Sequence, residues 1–331
     1  MWKDFWENIK MANQTNNFTW PTIDVVIPTL NCEDNLKLCL ERIRVQKYDG
    51  KINILIIDGG SKDGTLKIAD KFNCTIDVIP GIYSTGNNGA KMIGEKKGKS
   101  EFIWHIDSDN FLVGEYVAIK LIEPMVKFQD VNISVPYNQS LPIDDQKSSK
   151  LSKALNYAIN KIELDNLNSV IRRGKREGNC YFISDLDIGI TNASLLRRSA
   201  EVSVGFYDSD VELLKRLRKA GLAKAVIVTD AFFEQYAVDS FMGYVRKYKR
   251  RLKYFANLGP KGLRDYFVDS ENIAQHFSIN SRFYINRIKN FLKNRKLEDL
   301  AFISLLLASI LIVIYSLPDV ILLKLRTKGK P

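Results

Sequence analysis

Between Ile23 and Asp109 four short apolar runs alternate with charge-dotted segments of helical period, and this alternation narrows the fold more than any other feature. The first run is Ile23-Asp24-Val25-Val26-Ile27-Pro28, closed by proline. Asn35 to Val45 follows, with Leu36, Leu38, Leu40 and Ile43 set among charges. A second run, Ile52 to Ile57, leads into the turn Asp58-Gly59-Gly60-Ser61-Lys62-Asp63-Gly64 and a helical segment from Thr65 to Phe72. A third, Ile76 to Ile79, precedes a Gly/Asn-rich loop over Gly81 to Gly89 and a helix from Ala90. The fourth is Glu101-Phe102-Ile103-Trp104-His105-Ile106, which ends in Asp107-Ser108-Asp109. Runs that are apolar on both faces belong in the interior of a sheet covered by helices. The expected class is therefore α/β, with a mostly parallel, Rossmann-like sheet flanked by helices.

Ligands of such sheets sit at the carboxyl ends of the strands. That rule gathers Pro28-Thr29-Leu30-Asn31, Asp58-Gly59-Gly60-Ser61 and Asp107-Ser108-Asp109 on one rim. Strand alternation would send Asp107 and Asp109 to the same side. Two carboxylates so placed suit a hard divalent cation, Mg²⁺ or Mn²⁺, and through it a diphosphate. No Gly-rich phosphate loop follows the first strand, which argues against nucleotidyl transfer.

The chain has 331 residues and is 45% hydrophobic, enough for a substantial core. Its net charge of +11 is local: Phe241 to Lys296 carries 14 Lys/Arg against three acids, which accounts for the whole surplus. Within it Phe241, Tyr244, Tyr248, Tyr254 and Phe255 alternate with Arg246, Lys247, Lys249, Arg250, Arg251 and Lys253. Aromatics interleaved with bases suit nucleic acid or an anionic lipid surface. The next segment decides for lipid and against nucleic acid. Leu300 to Leu317 is an 18-residue run without a charge, continued past Pro318-Asp319 by Val320 to Leu323. A membrane helix needs about 20 apolar residues, so this segment is expected to span or insert, a re-entrant or interfacial helix being the alternative. At the other end Trp2, Phe5, Trp6 and Ile9 fall on one helical face, as in an interfacial helix. Cys32, Cys39, Cys74 and Cys180 lack metal-ligand spacing and read as reduced core thiols, which favours a cytosolic catalytic part.

Taken in order, Val25-Val26-Ile27-Pro28-Thr29-Leu30-Asn31 with Glu33, Ile57-Asp58-Gly59-Gly60-Ser61-Lys62-Asp63-Gly64-Thr65 and Asp107-Ser108-Asp109 closely resemble glycosyltransferase family 2, the inverting nucleotide-sugar enzymes of GT-A fold. Arg197-Arg198-Ser199-Ala200 with Val204 to Asp208, and the helical stretch Asp210 to Gly221, are similar to the family's later motifs. The resemblance runs from about Ile23 to Ala231 and is silent on the sugar. It implies that Asp58 accepts a hydrogen bond from a uracil imide N–H, with Pro28, Thr29, Asn31, Glu33 and Gly59 around base and ribose. Asp107 and Ser108 would face the donor, and Asp109, with Asp107, would hold Mn²⁺ or Mg²⁺. Lys91 stands where the family usually has Arg, keeping the charge and losing the bidentate fork. Asp210 matches the catalytic base, which removes the acceptor hydroxyl's proton. Asp208 is the second candidate, because the family's usual Glu before the base is Ser209 here. The metal-assisting His of many relatives is absent from Phe233-Glu234-Gln235-Tyr236.

The implied activity is metal-dependent, inverting transfer from a nucleotide-diphosphate sugar, a uridine one in the leading reading, to a polyprenyl-linked or other membrane acceptor. A polyprenyl-phosphate sugar synthase is the runner-up, and a non-catalytic membrane-anchored sugar-nucleotide binding module the reading from another class. The expected organisation is an amphipathic segment over 1–21, a catalytic domain over 22–232, basic juxtamembrane helices over 233–298, a membrane-inserted helix over 299–324 and a basic tail over 325–331. The catalytic domain is expected at the cell membrane, on its cytoplasmic side.

Overall fold

The computed structural model describes residues 19–82, 87–138, 150–187, 193–205, 210–236 and 240–246, with isolated positions at 249, 288–289, 292–294, 300, 303, 307 and 310. Its elements run β1 (Ile23–Thr29), α1 (Glu33–Arg44), β2 (Ile52–Asp58), α2 (Thr65–Lys71), β3 (Thr75–Val78), α3 (Asn87–Lys97), β4 (Phe102–His105), β5 (Asn110–Val113), α4 (Val117–Lys127) and β6 (Ile133–Asn138). They continue with α5 (Lys150–Ile171), β7 (Lys175–Glu177), β8 (Cys180–Ile183), β9 (Leu195–Arg197), α6 (Arg198–Ser203), α7 (Asp210–Lys219) and β10 (Ala225–Gln235).

The strands form one 10-stranded sheet of order β3-β2-β1-β4-β9-β6-β10-β8-β7, with β5 paired to β10. β1 is buried along its whole length, between β2 and β4, both parallel to it. Its partner β4 reaches only to Val26, opposite His105, so Pro28 falls where β1 has β2 alone beside it and a missing N–H costs no ladder bond on the open side. Beyond β4 the character changes. β9 pairs antiparallel with β4 and β6, and β8 antiparallel with β7 and β10. The sheet is thus mixed where a mostly parallel one was expected: helices still join several of the later strands, but β9 enters between β4 and β6 antiparallel to both, and β7 turns directly into β8 as a hairpin.

Helix α1 shows why these segments become helices. Leu36, Cys39, Leu40 and Ile43 form its buried stripe, with Glu33 and Asp34 in the first turn and Arg42 and Arg44 in the last, each charge matching the helix dipole. On α3, Ala90 packs with Val26, Ile57 and Ile103, and a Cβ on Gly94 would collide with the side chain of Val26. The glycine lets α3 lie hard against β1. Asp24, inside β1, binds Asn53 Nδ2 at 2.8 Å, Ser100 Oγ at 2.7 Å and Arg198 Nη2 at 2.7 Å, tying β1, β2, the entry to β4 and α6 together. Burial alone raises its pKa, yet the hydrogen bonds from Asn53, Ser100 and Lys99 hold this carboxyl below its ordinary range.

Two compact units are present, Met1–Tyr137 with Asn166–Phe233, and Asn138–Asp165 with Glu234–Pro331. The first carries most of the sheet and the rim loops. In the second, Ala154 packs with Tyr157 and Leu300, and the helical turns over 241–246 bury Tyr244 and Val245. Among the described residues no helix is long and apolar enough to cross a membrane. The expected N-terminal interfacial helix lies outside them, as do the membrane helix over 299–324, apart from four single positions, and the basic tail.

Candidate active site

The rim of β1 and β2 is built around a single carboxylate. Asp58 Oδ1 accepts from the Gly60 and Ser61 N–H groups at 2.8 and 2.7 Å, and Oδ2 from the Thr29 and Ser61 hydroxyls at 2.8 and 2.6 Å. A carboxylate offers about four acceptor positions. All are filled, and Asp58 is 0% exposed. The hydrogen bond to a uracil expected of it is therefore unavailable in this arrangement. Asp58 shapes the loop instead, because a turn that reverses this tightly leaves backbone N–H groups needing an acceptor. Gly60 takes φ +93°, a conformation that favours glycine, and Gly59 N–H reaches back to the Thr29 carbonyl at 2.9 Å.

Asn31, at φ +50°, continues the same device from the other strand. Its N–H donates to Ser61 Oγ at 2.9 Å, and its Oδ1 accepts from Lys62 N–H at 2.8 Å. Glu33 stands exposed at the start of α1, accepting from Gly64 N–H, while its own N–H donates to Asp63 Oδ2 at 3.2 Å. Thr29, Asn31, Glu33, Asp58 and Gly59 thus come together as expected, but largely as one interlocked loop pair. Leu30, between them, is 39% exposed on the rim.

Asp107-Ser108-Asp109 is not part of a strand. β4 stops at His105, and the acidic residues lie in the turn before β5. Strand alternation consequently does not set their directions. Asn110 does: its N–H closes the turn on the Asp107 carbonyl at 2.9 Å, its Oδ1 accepts from Asp107 N–H at 3.1 Å, and its Nδ2 donates to Asp109 Oδ1 at 3.3 Å. Asn110 is fully buried, and sequence reading missed it; a side-chain amide directly after Asp-x-Asp was the available signal. Both acids lie close to one buried thiol. Burial pushes the Cys39 pKa well up, and the charges of Asp109 and Asp107 add to the push. Such a thiol is inert, in keeping with the four free cysteines.

Lys91, on α3, is 4% exposed, and its Nζ stands 3.5 Å from Asp107 Oδ1. That oxygen is buried and accepts no hydrogen bond among the described residues. Behind the turn, His105 Nε2 meets both oxygens of Glu201, at 2.9 and 3.1 Å. Glu95, on α3, is pushed up to about 7 by burial and then by the Glu201 charge. Asp210 opens α7, Asp208 lies outside the described residues, and of the Asp210 side chain only the backbone position is described.

No group of three or more His, Cys, Asp or Glu side chains gathers among the described residues. Asp107 and Asp109 could still contribute to a hard-cation site whose remaining ligands are oxygens of a diphosphate and water. The buried Asp107 Oδ1 fits that use, since it accepts no hydrogen bond and only the Lys91 charge, 3.5 Å away, faces it among the described residues.

The model of the family described as Glycosyl transferase family 2 matches residues 24–202, more than half of the chain. An N-acetylglucosaminyltransferase of Rhizobium sp. (strain N33) is 29% identical over 116 residues, 32% of this chain and 26% of that protein. Glycosyltransferase AglE of Haloferax volcanii is 30% identical over 95 residues, 28% of this chain and 31% of the relative. The matched stretch thus spans about a third or less of either relative. Among solved structures, a mannosyltransferase from Pyrobaculum calidifontis, in complex with GDP-Man and Mn²⁺, superposes with a TM-score of 0.53 at 12% identity, covering 91% of this chain and 93% of that one. At that identity the likeness speaks for the fold, the mixed α/β sheet of GT-A transferases. With the family model spanning β1, the Asp58 loop and the acidic turn, the chain belongs to glycosyl transferase family 2.

Proposed function

We propose that this enzyme transfers a sugar, with inversion, from a nucleoside-diphosphate sugar, UDP in the leading reading, to an acceptor carried by a membrane lipid. The observation that carries the donor half is the acidic turn: Asp107 and Asp109 at the carboxyl edge of the sheet, with the buried ammonium of Lys91 3.5 Å from Asp107 Oδ1. Asp107 and Asp109 would hold Mn²⁺ or Mg²⁺, and a cation bound there offsets the charge of the departing diphosphate. The Mn²⁺ and GDP-Man of the Pyrobaculum structure support a metal and a nucleotide sugar in this fold. Lys91 places a fixed positive charge beside the diphosphate, and the interlocked β1 and β2 loops give the base and ribose a rigid floor. Asp210, as the base, would take the acceptor hydroxyl's proton while that oxygen attacks the anomeric carbon opposite the leaving group. Asp208 is the alternative.

The acceptor half rests on sequence: the basic stretch from Phe241 to Lys296 and the uncharged run Leu300 to Leu317 favour a protein seated on anionic lipid. A polyprenyl phosphate or polyprenyl-diphosphate sugar would present phosphates to those bases, and the free cysteines favour the cytoplasmic side for the catalytic domain. The test is thermal stabilisation by a panel of nucleoside-diphosphate sugars with Mn²⁺, followed by turnover with polyprenyl acceptors. One nucleotide sugar should raise the melting temperature in the presence of Mn²⁺ and lose most of that effect with EDTA. Asp109→Asn should retain the fold and lower transfer by on the order of 100-fold; unchanged transfer would sink the metal assignment.

A further inference from the structure

We infer that Lys91 is the resident counter-cation of the acidic turn, and that it keeps the divalent metal out until a nucleoside diphosphate arrives, so that metal and diphosphate enter as one unit. The inference rests on the metal reading of Asp107 and Asp109 proposed above and goes beyond it. Three observations support it. First, the turn is a thin metal site: two carboxylates, one with Oδ1 lacking a hydrogen bond, and no third ligand gathered among the described residues. Second, the Lys91 ammonium, whose Nζ lies 3.5 Å from Asp107 Oδ1, offsets part of the negative charge that the two acids present to an incoming cation. A doubly charged ion at that oxygen would sit a few ångströms from the ammonium in a poorly solvated place, where like-charge repulsion is weakly screened.

Third, Lys91 is anchored. Its helix is packed onto β1 through Ala90 and Gly94, whose missing Cβ makes room for Val26, and the residue is only 4% exposed. Its stem cannot simply turn the charge out to solvent without leaving that packing. A diphosphate changes the balance. Its oxygens supply the ligands the turn lacks, and its negative charge offsets both the cation and Lys91. The metal's affinity and the nucleotide's are then coupled, each raising the other by the same factor.

The experiment is a titration of the full-length protein with Mn²⁺, reading free Mn²⁺ by electron paramagnetic resonance, with and without UDP or GDP. It compares the wild type with Lys91→Met, Lys91→Gln, Lys91→Arg and Asp109→Asn, with thermal melts to check folding. Wild type should bind Mn²⁺ at least about tenfold more tightly with the fitting nucleotide than without. Lys91→Met and Lys91→Gln should bind Mn²⁺ about tenfold more tightly than wild type in the absence of nucleotide, whereas Lys91→Arg, which keeps the charge, should not. The inference is overturned if neither neutral variant gains affinity, or if wild type binds Mn²⁺ equally well with and without nucleotide. Asp109→Asn distinguishes this from a failure of the metal reading: its Mn²⁺ binding in the presence of nucleotide should collapse. Retention there would overturn the assignment of the turn as a metal site, and the inference with it.

Discussion

Two carboxylates on this chain look alike in sequence and are put to opposite uses. Asp58 is saturated by four protein donors, whereas Asp107 keeps a buried oxygen without a hydrogen bond. That contrast, rather than acidity itself, separates scaffold from candidate ligand. For the proton-transfer step, Asp210→Asn should leave donor binding within about twofold of wild type and lower kcat by roughly 100- to 10,000-fold, measured by calorimetry and by transfer assay. If Asp208→Asn alone produces that loss, the base is Asp208. Glu95 offers a pH test. Its pKa is raised from 4.5 to about 7 by burial and by Glu201, so the folded chain binds a proton the unfolded chain releases between those values. Stability from this group is full below pH 4.5, declines as pH rises, and is lost above about 7. Glu95→Gln should flatten that decline and be the more stable protein at pH 8, by no more than about 3 kcal/mol. Melting temperatures across the window check it.

The β1 and β2 loops form a unit whose stability depends on Asp58. Replacing one of its oxygens by an amide turns an acceptor into a donor facing donors, so Asp58→Asn should cost about 2 to 4 kcal/mol of unfolding free energy. Denaturant titration would show it. Binding of uridine and guanosine diphosphates should then weaken together, since the loop as a whole has loosened; selective loss of the uridine compound would restore Asp58 as the reader of the base. Much of this unit was legible in the chain: apolar runs ending in Pro28-Thr29, Asp58-Gly59-Gly60-Ser61 and Asp107-Ser108-Asp109 marked the strand ends and hence the rim. What was not legible was the state of each side chain there. The sequence places Asn31 and Glu33 around base and ribose, yet together with Asp63 they bridge two loops about 30 positions apart in the chain, as the Asn31 to Ser61 hydrogen bond shows. Local pattern carries no information about such partners.

In the molecule as a whole, the parallel half of the sheet was the readable half. Its strands β1, β2, β3 and β4 are joined by helices, and that alternation has a sequence period. β7 and β9, of three residues each, carry no period to detect, and their antiparallel pairing makes the sheet mixed. The proposed membrane attachment is tested at this scale too. Deleting residues from Leu300 onward should shift the protein from the membrane pellet to the soluble fraction in flotation assays. If the truncated chain stays equally membrane-bound, the C-terminal segment is not the main attachment.

Composition and periodicity sufficed for the α/β class, the succession of the first strands and helices along the chain, and the rim on which the acids and glycines meet, because hydrophobic burial and strand ends are set by runs of neighbouring residues; Lys91 entered through the family resemblance. Whether a given carboxylate is filled or open depended on atoms far away in the chain. Asp58 is closed by Thr29 and its own turn, and Asp107 is held by Asn110 and faces Lys91 from a helix packed against β1. Hydrogen bonds and charge pairs act over a few ångströms in space, and only the folded chain brings those groups within reach.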